Sequence, residues 1–483
     1  MRLRNQMRLV ALLFLGAVAA HVAGQSPAQP GGRVFRAGAA TSNITPFLGA
    51  GIVGGWTAPP ATYVHDELHA RCLALDDGQT RLAFAIIDSV SVNREVLDEA
   101  KRMIEEATGV PAGQVLMSAT HTHSGPSARG TSAFLYGQPL DDYQKFLAHR
   151  IADGVRRAFH NLQPARIAWG AVDVPQHVFN RRWKMKPGTK LINPFGDEDL
   201  VQMNPGAGNP NLLEPAGPTD PQVSFLSVQS TDGRPVALLA NYSLHYVGGV
   251  PTGQISADYF GVFADRIQQL LGADRLDPPF VGMMSNGTSG DVNNINFRGR
   301  SERFPPYGKM RLVASEVAEA VVQVQQTLQH RDWVELKAAH AELPLQVRRP
   351  TRAQLERAQQ VLDRPSTTTP VHRHEEEYAR RTLSMATWPS EISIVMQVFR
   401  IGDLGIAAIP FETFAETGLE LKARSPFQPT FTIELANGGY GYLPTPRQHD
   451  LGGYETWLGT NRVEREASEK IVAKLLELFA TLK

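Results

Sequence analysis

Apolar runs and amphipathic stretches alternate along most of this chain. Residues 81 to 88 (RLAFAIID) are nearly continuously apolar and predict a buried strand. From Arg94 to Thr108, Val96, Ala100, Met103, Ile104 and Ala107 recur at helical spacing, Gly109 supplies a stop, and Gln114 to Ala119 reads as the next strand. These three segments predict a β-α-β unit. Helical spacing returns from Leu140 to Phe159 through Tyr143, Phe146, Leu147, Ile151, Val155 and Phe159, and again over Arg462 to Leu482 through Val463, Ala467, Ile471 and Leu475. Two hairpins are expected: Val223 to Val228 with Val236 to Leu239 across Ser230-Thr231-Asp232-Gly233, and Ile394 to Ile401 with Gly405 to Ile409 across Gly402-Asp403-Leu404. The alternation as a whole predicts an α/β domain with a mixed sheet.

Five of the apolar runs end in dense polar clusters. Leu116 to Ala119 runs into Thr120-His121-Thr122-His123-Ser124-Gly125-Pro126, Ala237 to Ala240 into Asn241-Tyr242-Ser243-Leu244-His245, and Phe280 to Met284 into SNGTSGDVNNINF. Ile406 to Ile409 precedes Pro410-Phe411-Glu412, and Phe431 to Leu435 precedes Asn437-Gly438-Gly439-Tyr440-Gly441-Tyr442. Ligands of open α/β sheets bind outside the carboxyl ends of strands, where side chains from several strands converge. Five such ends predict one shared site.

Composition narrows the class. The 483 residues are 42% hydrophobic and 20% charged, a globular balance, and 48 basic residues offset 48 acidic ones. No net field draws the chain toward nucleic acid. Residues 1–24 have a basic start, an apolar stretch from Leu9 to Ala20 and small residues around Val22-Ala23-Gly24, the layout of a secretory signal. A short linker at 25–34 and a single domain at 35–483 complete the expected organisation, secreted or periplasmic, with no transmembrane segment once the signal is cleaved. Cys72, the lone cysteine, excludes an internal disulfide. The charged segment from Arg348 to Thr387 carries His372-Arg373-His374-Glu375-Glu376-Glu377, but its helical pattern reads as a solvated face or surface insertion.

Imidazoles and a carboxylate gathered at strand ends suit Zn2+, and a catalytic zinc keeps about three protein ligands and one open position. On a continuing strand His121 and His123 would share a side; in a turn either could face the site. Asp88, ending its own strand, could orient a ligating histidine or cap the following helix.

Residues 118 to 126, SATHTHSGP, resemble the Thr-His-Thr-His-Ser-Gly-Pro signature of the neutral, non-lysosomal ceramidases. The order of further elements agrees: Asn180-Arg181, His245 followed by Ile255-Ser256-Ala257-Asp258, Glu412 after a Pro-x, Gly441-Tyr442-Leu443-Pro444-Thr445, and Tyr454-Glu455. The resemblance spans roughly Gly38 to Leu482. It implies a mixed-sheet catalytic domain with its site at strand ends, and one zinc held by His121, His245, Glu412 and Tyr442, with Tyr440 the competitor of Tyr442. It implies His123 beside the metal, and Arg181 and Tyr454 as donors to substrate or oxyanion. Family members carry an immunoglobulin-like domain after the catalytic one; the catalytic domain alone is expected here.

One position departs from the pattern. The family's Asn-x-Gly-(Asp/Asn)-x-Ser-Pro-Asn places a serine where this chain has Asn293, and an amide is no nucleophile. Metal-activated water with Asn293 orienting the substrate, a stand-in hydroxyl from Thr288 or Ser289, or ligand binding without turnover are the readings left open. The expectation is an exported zinc-dependent hydrolase of an amide or ester bond acting on a small-molecule, lipid or sugar substrate. The alternatives are a carbohydrate-active hydrolase or lyase on the same scaffold and a non-catalytic zinc-retaining binding protein. Oligomeric state is not readable.

Overall fold

The computed structural model describes residues 33–126, 128 and 136–483. The signal-like segment 1–24 and most of the linker lie outside the described residues. The eight-stranded sheet has eight members in chain order: β1 (Arg36–Asn43), β2 (His69–Asp76), β3 (Arg81–Ile87), β4 (Val115–Ala119), β5 (Gln163–Asp173), β6 (Gln222–Ser230), β7 (Pro235–Tyr242) and β8 (Val281–Asn286). They lie in the order β8-β7-β6-β5-β1-β2-β3-β4, with β7–β8 and β3–β4 parallel and the other pairs antiparallel. A second sheet, β9 (Leu336–Gln346), β10 (Glu391–Ile401), β11 (Leu404–Ile409) and β12 (Thr430–Glu434), runs in chain order and ends in the parallel pair β11–β12.

Side-chain alternation sorts these strands into layers. Leu73, Leu75, Phe84, Ile86, Leu226 and Leu239 face the second sheet, where Phe84 meets Phe399 at 5.2 Å between ring centres. Their neighbours Cys72, Ala83 and Ala85 pack under α1 (Arg94–Thr108) and α2 (Asp142–His160). Phe225 and Leu238 pack under α3 (Asp258–Leu270) and α4 (Gly308–Gln325). The far face of the second sheet is covered by α8, Ala467–Ala480, through Ile471 and Leu475. The result is a helix/sheet/sheet/helix stack with both sheets buried, which is why their strands read as apolar runs rather than alternating ones.

The expected β-α-β unit and both hairpins are present. The terminal helix starts at Ala467 rather than Arg462, because Val463 is still bridged in extended form to Val347. Phe146 is 40% exposed and turns, with Phe47 and Leu48, into an apolar surface groove instead of the core. The charged insertion forms α5 (Arg352–Asp363) and α6 (Glu375–Met385), which pack on each other; α7 (Ala415–Arg424) follows β11.

The two sheets position the site. Strands β4 and β8 are opposite edges of the larger sheet, yet β12 packs against both; Ala119 N–H of β4 donates to Leu435 O just past β12 (3.1 Å), and Asn241 Nδ2 on β7, beside β8, donates to Thr432 O (3.1 Å). The ends of β4, β7, β8, β11 and β12 thereby meet.

Candidate metal centre

The chain leaves β4 with Thr120 N–H on Ile87 O (2.9 Å) and His121 N–H on Ser89 O (2.9 Å), and His121 takes φ +76. A non-glycine residue rarely adopts that left-handed conformation, and such strain concentrates at functional sites. It turns the His121 ring inward. His121 Nδ1–H donates to Val90 O (2.7 Å), and His245, just past β7, donates Nδ1–H to Ser289 O (3.1 Å) with Ser289 Oγ at 3.2 Å. A carbonyl only accepts, so both rings carry their proton on Nδ1. Their Nε2 lone pairs then face each other at 2.9 Å, and His123 brings a third Nε2 to 3.0 Å from that of His121. Neutral lone pairs at that separation repel unless a proton or a cation is shared between them.

Glu412 completes the convergence. Its Oε2 lies 3.4 Å from His121 Nε2 and 3.9 Å from His245 Nε2, buried and without a hydrogen-bond partner among the described residues. Burial, then the proximity of His121 and of the Arg181 guanidinium, hold the His245 pKa well below the usual histidine value, so it stays neutral and able to ligate. The donor set therefore fits a divalent cation bound by imidazole and carboxylate, and the three histidines are a group among the described residues that could hold one.

Around this point the remaining residues fall into place. The two-residue strands Glu412–Thr413 and Tyr442–Leu443 pair in parallel with Glu412 opposite Tyr442. Tyr440 lies instead against Phe411 in the core around α8, so it is Tyr442 that borders the cluster. Arg181 is 4% exposed; its Nη1 is 3.3 Å from His245 Nε2, its carbon 5.2 Å from the Tyr442 ring centre, and its Nε donates to Glu455 (2.9 Å). Burial opposes the Arg181 charge, but Tyr442, Glu455 and Glu412 hold it protonated. Its Nη2 is buried with no partner among the described residues. Tyr454 stands next to Tyr442 (5.6 Å between rings), and the His123 ring stacks on Tyr246 at 3.7 Å.

The polar stretch after β8 supports the centre from behind. Asn293 Nδ2 donates to Asn204 Oδ1 (2.6 Å) and its Oδ1 accepts from Ile295 N–H (2.9 Å), while Asn204 N–H donates to Arg181 O (2.8 Å). Ser289 Oγ faces the Nδ1 side of His245, away from the Nε2 cluster, and donates to Glu434 (2.7 Å). Thr288 packs under Gly418 of α7, whose missing side chain leaves it room. Asp88 does not back His121; it accepts from Arg71 and from His69 N–H (2.9 Å), and Val90 O takes the backing role instead.

Sequence reasoning gave Glu434 and Glu455 no role and missed the aromatic rim. Glu455 lies fully buried between Arg181 and Arg182 (2.9 and 2.6 Å). Trp56 stacks on His374 at 3.6 Å and meets Tyr454 at 6.1 Å, so the charged insertion is a wall beside the centre rather than a free solvated face. The one legible signal was a carboxylate inside an apolar run, Glu434 in FTIEL; Trp56 and His374 are far apart in sequence and carried none.

Residues 35–302, more than half of the chain, match the family described as "Neutral/alkaline non-lysosomal ceramidase, N-terminal". Neutral ceramidase A and neutral ceramidase B of Dictyostelium discoideum are 23% and 25% identical over 248 residues, 49% of this chain and 32% of each relative. The matched stretch thus spans about a third of the length of those relatives. The crystal structure of neutral ceramidase from Pseudomonas aeruginosa superposes with a TM-score of 0.69 at 18% identity, covering 93% of this chain and 75% of that one. A ceramidase complexed with C2 superposes at 0.67 and 16%, with the same coverage. These superpositions establish the fold.

Proposed function

This chain belongs to the neutral/alkaline non-lysosomal ceramidase family, and on that premise we propose that it is an exported zinc-dependent hydrolase of an amide or ester bond. His121, His245, Glu412 and Tyr442 would hold the metal. The observation that carries the proposal is the meeting of three imidazole Nε2 atoms and an orphaned carboxylate oxygen at strand ends, two of those rings locked by carbonyls in the tautomer that ligates. Bound zinc supplies Lewis-acid polarisation of a carbonyl and acidifies water. Arg181, charged and with a buried Nη2 that has no hydrogen-bond partner among the described residues, stabilises negative charge developing on the substrate oxygen, and the Tyr454 phenol adds a second donor. His123, its ring held by Tyr246, takes and returns the proton at Nε2. Neither Thr288 nor Ser289 faces the cluster, which favours water over a side-chain hydroxyl as the attacking group. Asn293 acts through Asn204, steadying the segment that carries Arg181. The relatives are named as ceramidases, so an N-acyl amide is the first substrate class to test.

Export rests on the signal-like segment; no described helix is long and apolar enough to cross a membrane. A sugar substrate on the same scaffold is the second reading, favoured by Trp56, a half-exposed aromatic face beside Tyr454 of the kind that stacks on sugar rings. Purified protein is expected to contain stoichiometric zinc and to release fatty acid from N-acyl amides in a chelator-sensitive way, and His121→Ala to lose both. New sugar ends from oligosaccharides would favour the second reading. Absent zinc, or undiminished turnover in His121→Ala, would sink the proposal, and ligand binding with no product would leave a binding protein.

A further inference from the structure

Glu434, the last residue of β12, is fully buried although it touches no substrate-facing group. Its Oε1 accepts from Ser289 Oγ (2.7 Å), and its Oε2 accepts from Ser289 N–H (3.2 Å) and Thr413 N–H (2.7 Å). Ser289 is the residue whose carbonyl and hydroxyl receive His245 Nδ1–H, and Thr413 directly follows Glu412. The two segments are joined again beside the carboxylate. Gly290 N–H donates to Thr413 O (2.8 Å), and Gly290 lies so close that a Cβ there would fall 2.5 Å from Glu412 O. One carboxylate at the junction of the two sheets therefore ties the backing of His245, from the larger sheet, to the backbone of Glu412, from the smaller one.

We propose that Glu434 is a positioning residue that, through Ser289 and Thr413, sets the separation and orientation of the His245 and Glu412 donors, so that the metal affinity of the centre depends on it. This rests on the metal reading above. A buried carboxylate is costly unless its oxygens are well satisfied, and the three donors on Glu434 come from the segments that flank two donors of the cluster. Glu434→Gln keeps the shape but offers an N–H2 where one acceptor stood, so it opposes a Ser289 or Thr413 donor. Ser289→Ala removes the hydroxyl link and leaves the carbonyl contact to His245.

The test measures zinc affinity by competition with a chromophoric chelator, together with the visible spectrum of the cobalt-substituted protein and the thermal midpoint. Wild type should bind zinc. Glu434→Gln should bind about 10- to 100-fold more weakly, the loss typical of outer partners of a metal site, with an altered cobalt spectrum, and Ser289→Ala should lose affinity by a smaller factor. Variants with a lowered thermal midpoint but wild-type affinity and spectrum would overturn the proposal by making Glu434 a general support. If Glu434→Gln does not fold, Ser289→Ala decides by the same two readouts. A wild type that takes up no zinc sinks the metal reading and the positioning role of Glu434 together, whereas equal affinities in wild type and variants sink the positioning role alone.

Discussion

The larger sheet brings the histidines to the centre, and the smaller sheet brings Glu412 and Tyr442, but the two halves are held by different physics. His121 and His245 are backed by main-chain carbonyls of Val90 and Ser289, within loops that leave β3 and β8. Glu412, Tyr442 and the neighbouring Arg181 sit among buried charges: Arg181 and Arg182 share Glu455, and Glu434 lies below Thr413. These carbonyls orient the two rings without themselves adding charge. Buried ion pairs are strong only while complete, because removing one partner leaves an uncompensated charge. Both halves are therefore expected to contribute metal donors, and Arg181 with its buried partners to govern what the bound metal can do.

That division is exposed most sharply at Arg181. Arg181→Ala should lower kcat by about 10²- to 10³-fold, the loss seen when an oxyanion donor is removed, while zinc affinity stays close to wild type; parallel loss of zinc would merge the two halves into one. A slightly smaller effect is expected from pH acting on the charged half. Asp291, fully buried, accepts from Asn180 and from Ala415 N–H, and burial raises its pKa from 3.8 to about 6. The folded state then holds a proton that the unfolded state releases, so this contribution to stability is complete below pH 3.8 and is lost as pH rises through about 6. Its size is at most about 3 kcal/mol at ~1.36 kcal/mol per unit. Urea denaturation between pH 4 and pH 7 should show Asp291→Asn with a flatter profile than wild type; identical profiles would refute it. The smallest effect tests where the halves touch. Tyr442→Phe is expected to weaken zinc by about tenfold, and His123→Ala to spare zinc binding while depressing turnover. If His123→Ala loses more metal than Tyr442→Phe, the third imidazole and not the phenol is the fourth ligand.

Much of this fold was legible because both sheets are covered on both faces. Their strands read as apolar runs such as RLAFAII and LGIAAI, and helical spacing marked α1, α2 and α8. Strands β1, β2, β5 and β9 were not singled out: β1 is built largely of small residues, β2 sets His69, Arg71 and Asp76 among its apolar residues, and β5 and β9 are half exposed and mixed in polarity. Within the centre, His121, His245 and Glu412 were readable as polar groups past strand ends. The choice between Tyr440 and Tyr442 was not, since both follow glycine or flank it, and only the pairing of Glu412 with Tyr442 separates them.

Sequence alone thus determined the mixed-sheet α/β class, the family and the strand ends at which the candidate site gathers, because burial on two faces and the periods of strand and helix are written in local order. Tertiary structure alone decided that opposite edges of the larger sheet meet at β12, that two imidazole Nε2 atoms face each other at 2.9 Å, and that Ser289 looks at the back of His245 rather than into the site. The reason is range. A strand's hydropathy is set by its own residues, whereas the partner of Glu434 lies 145 positions away in sequence and is chosen by how two sheets pack.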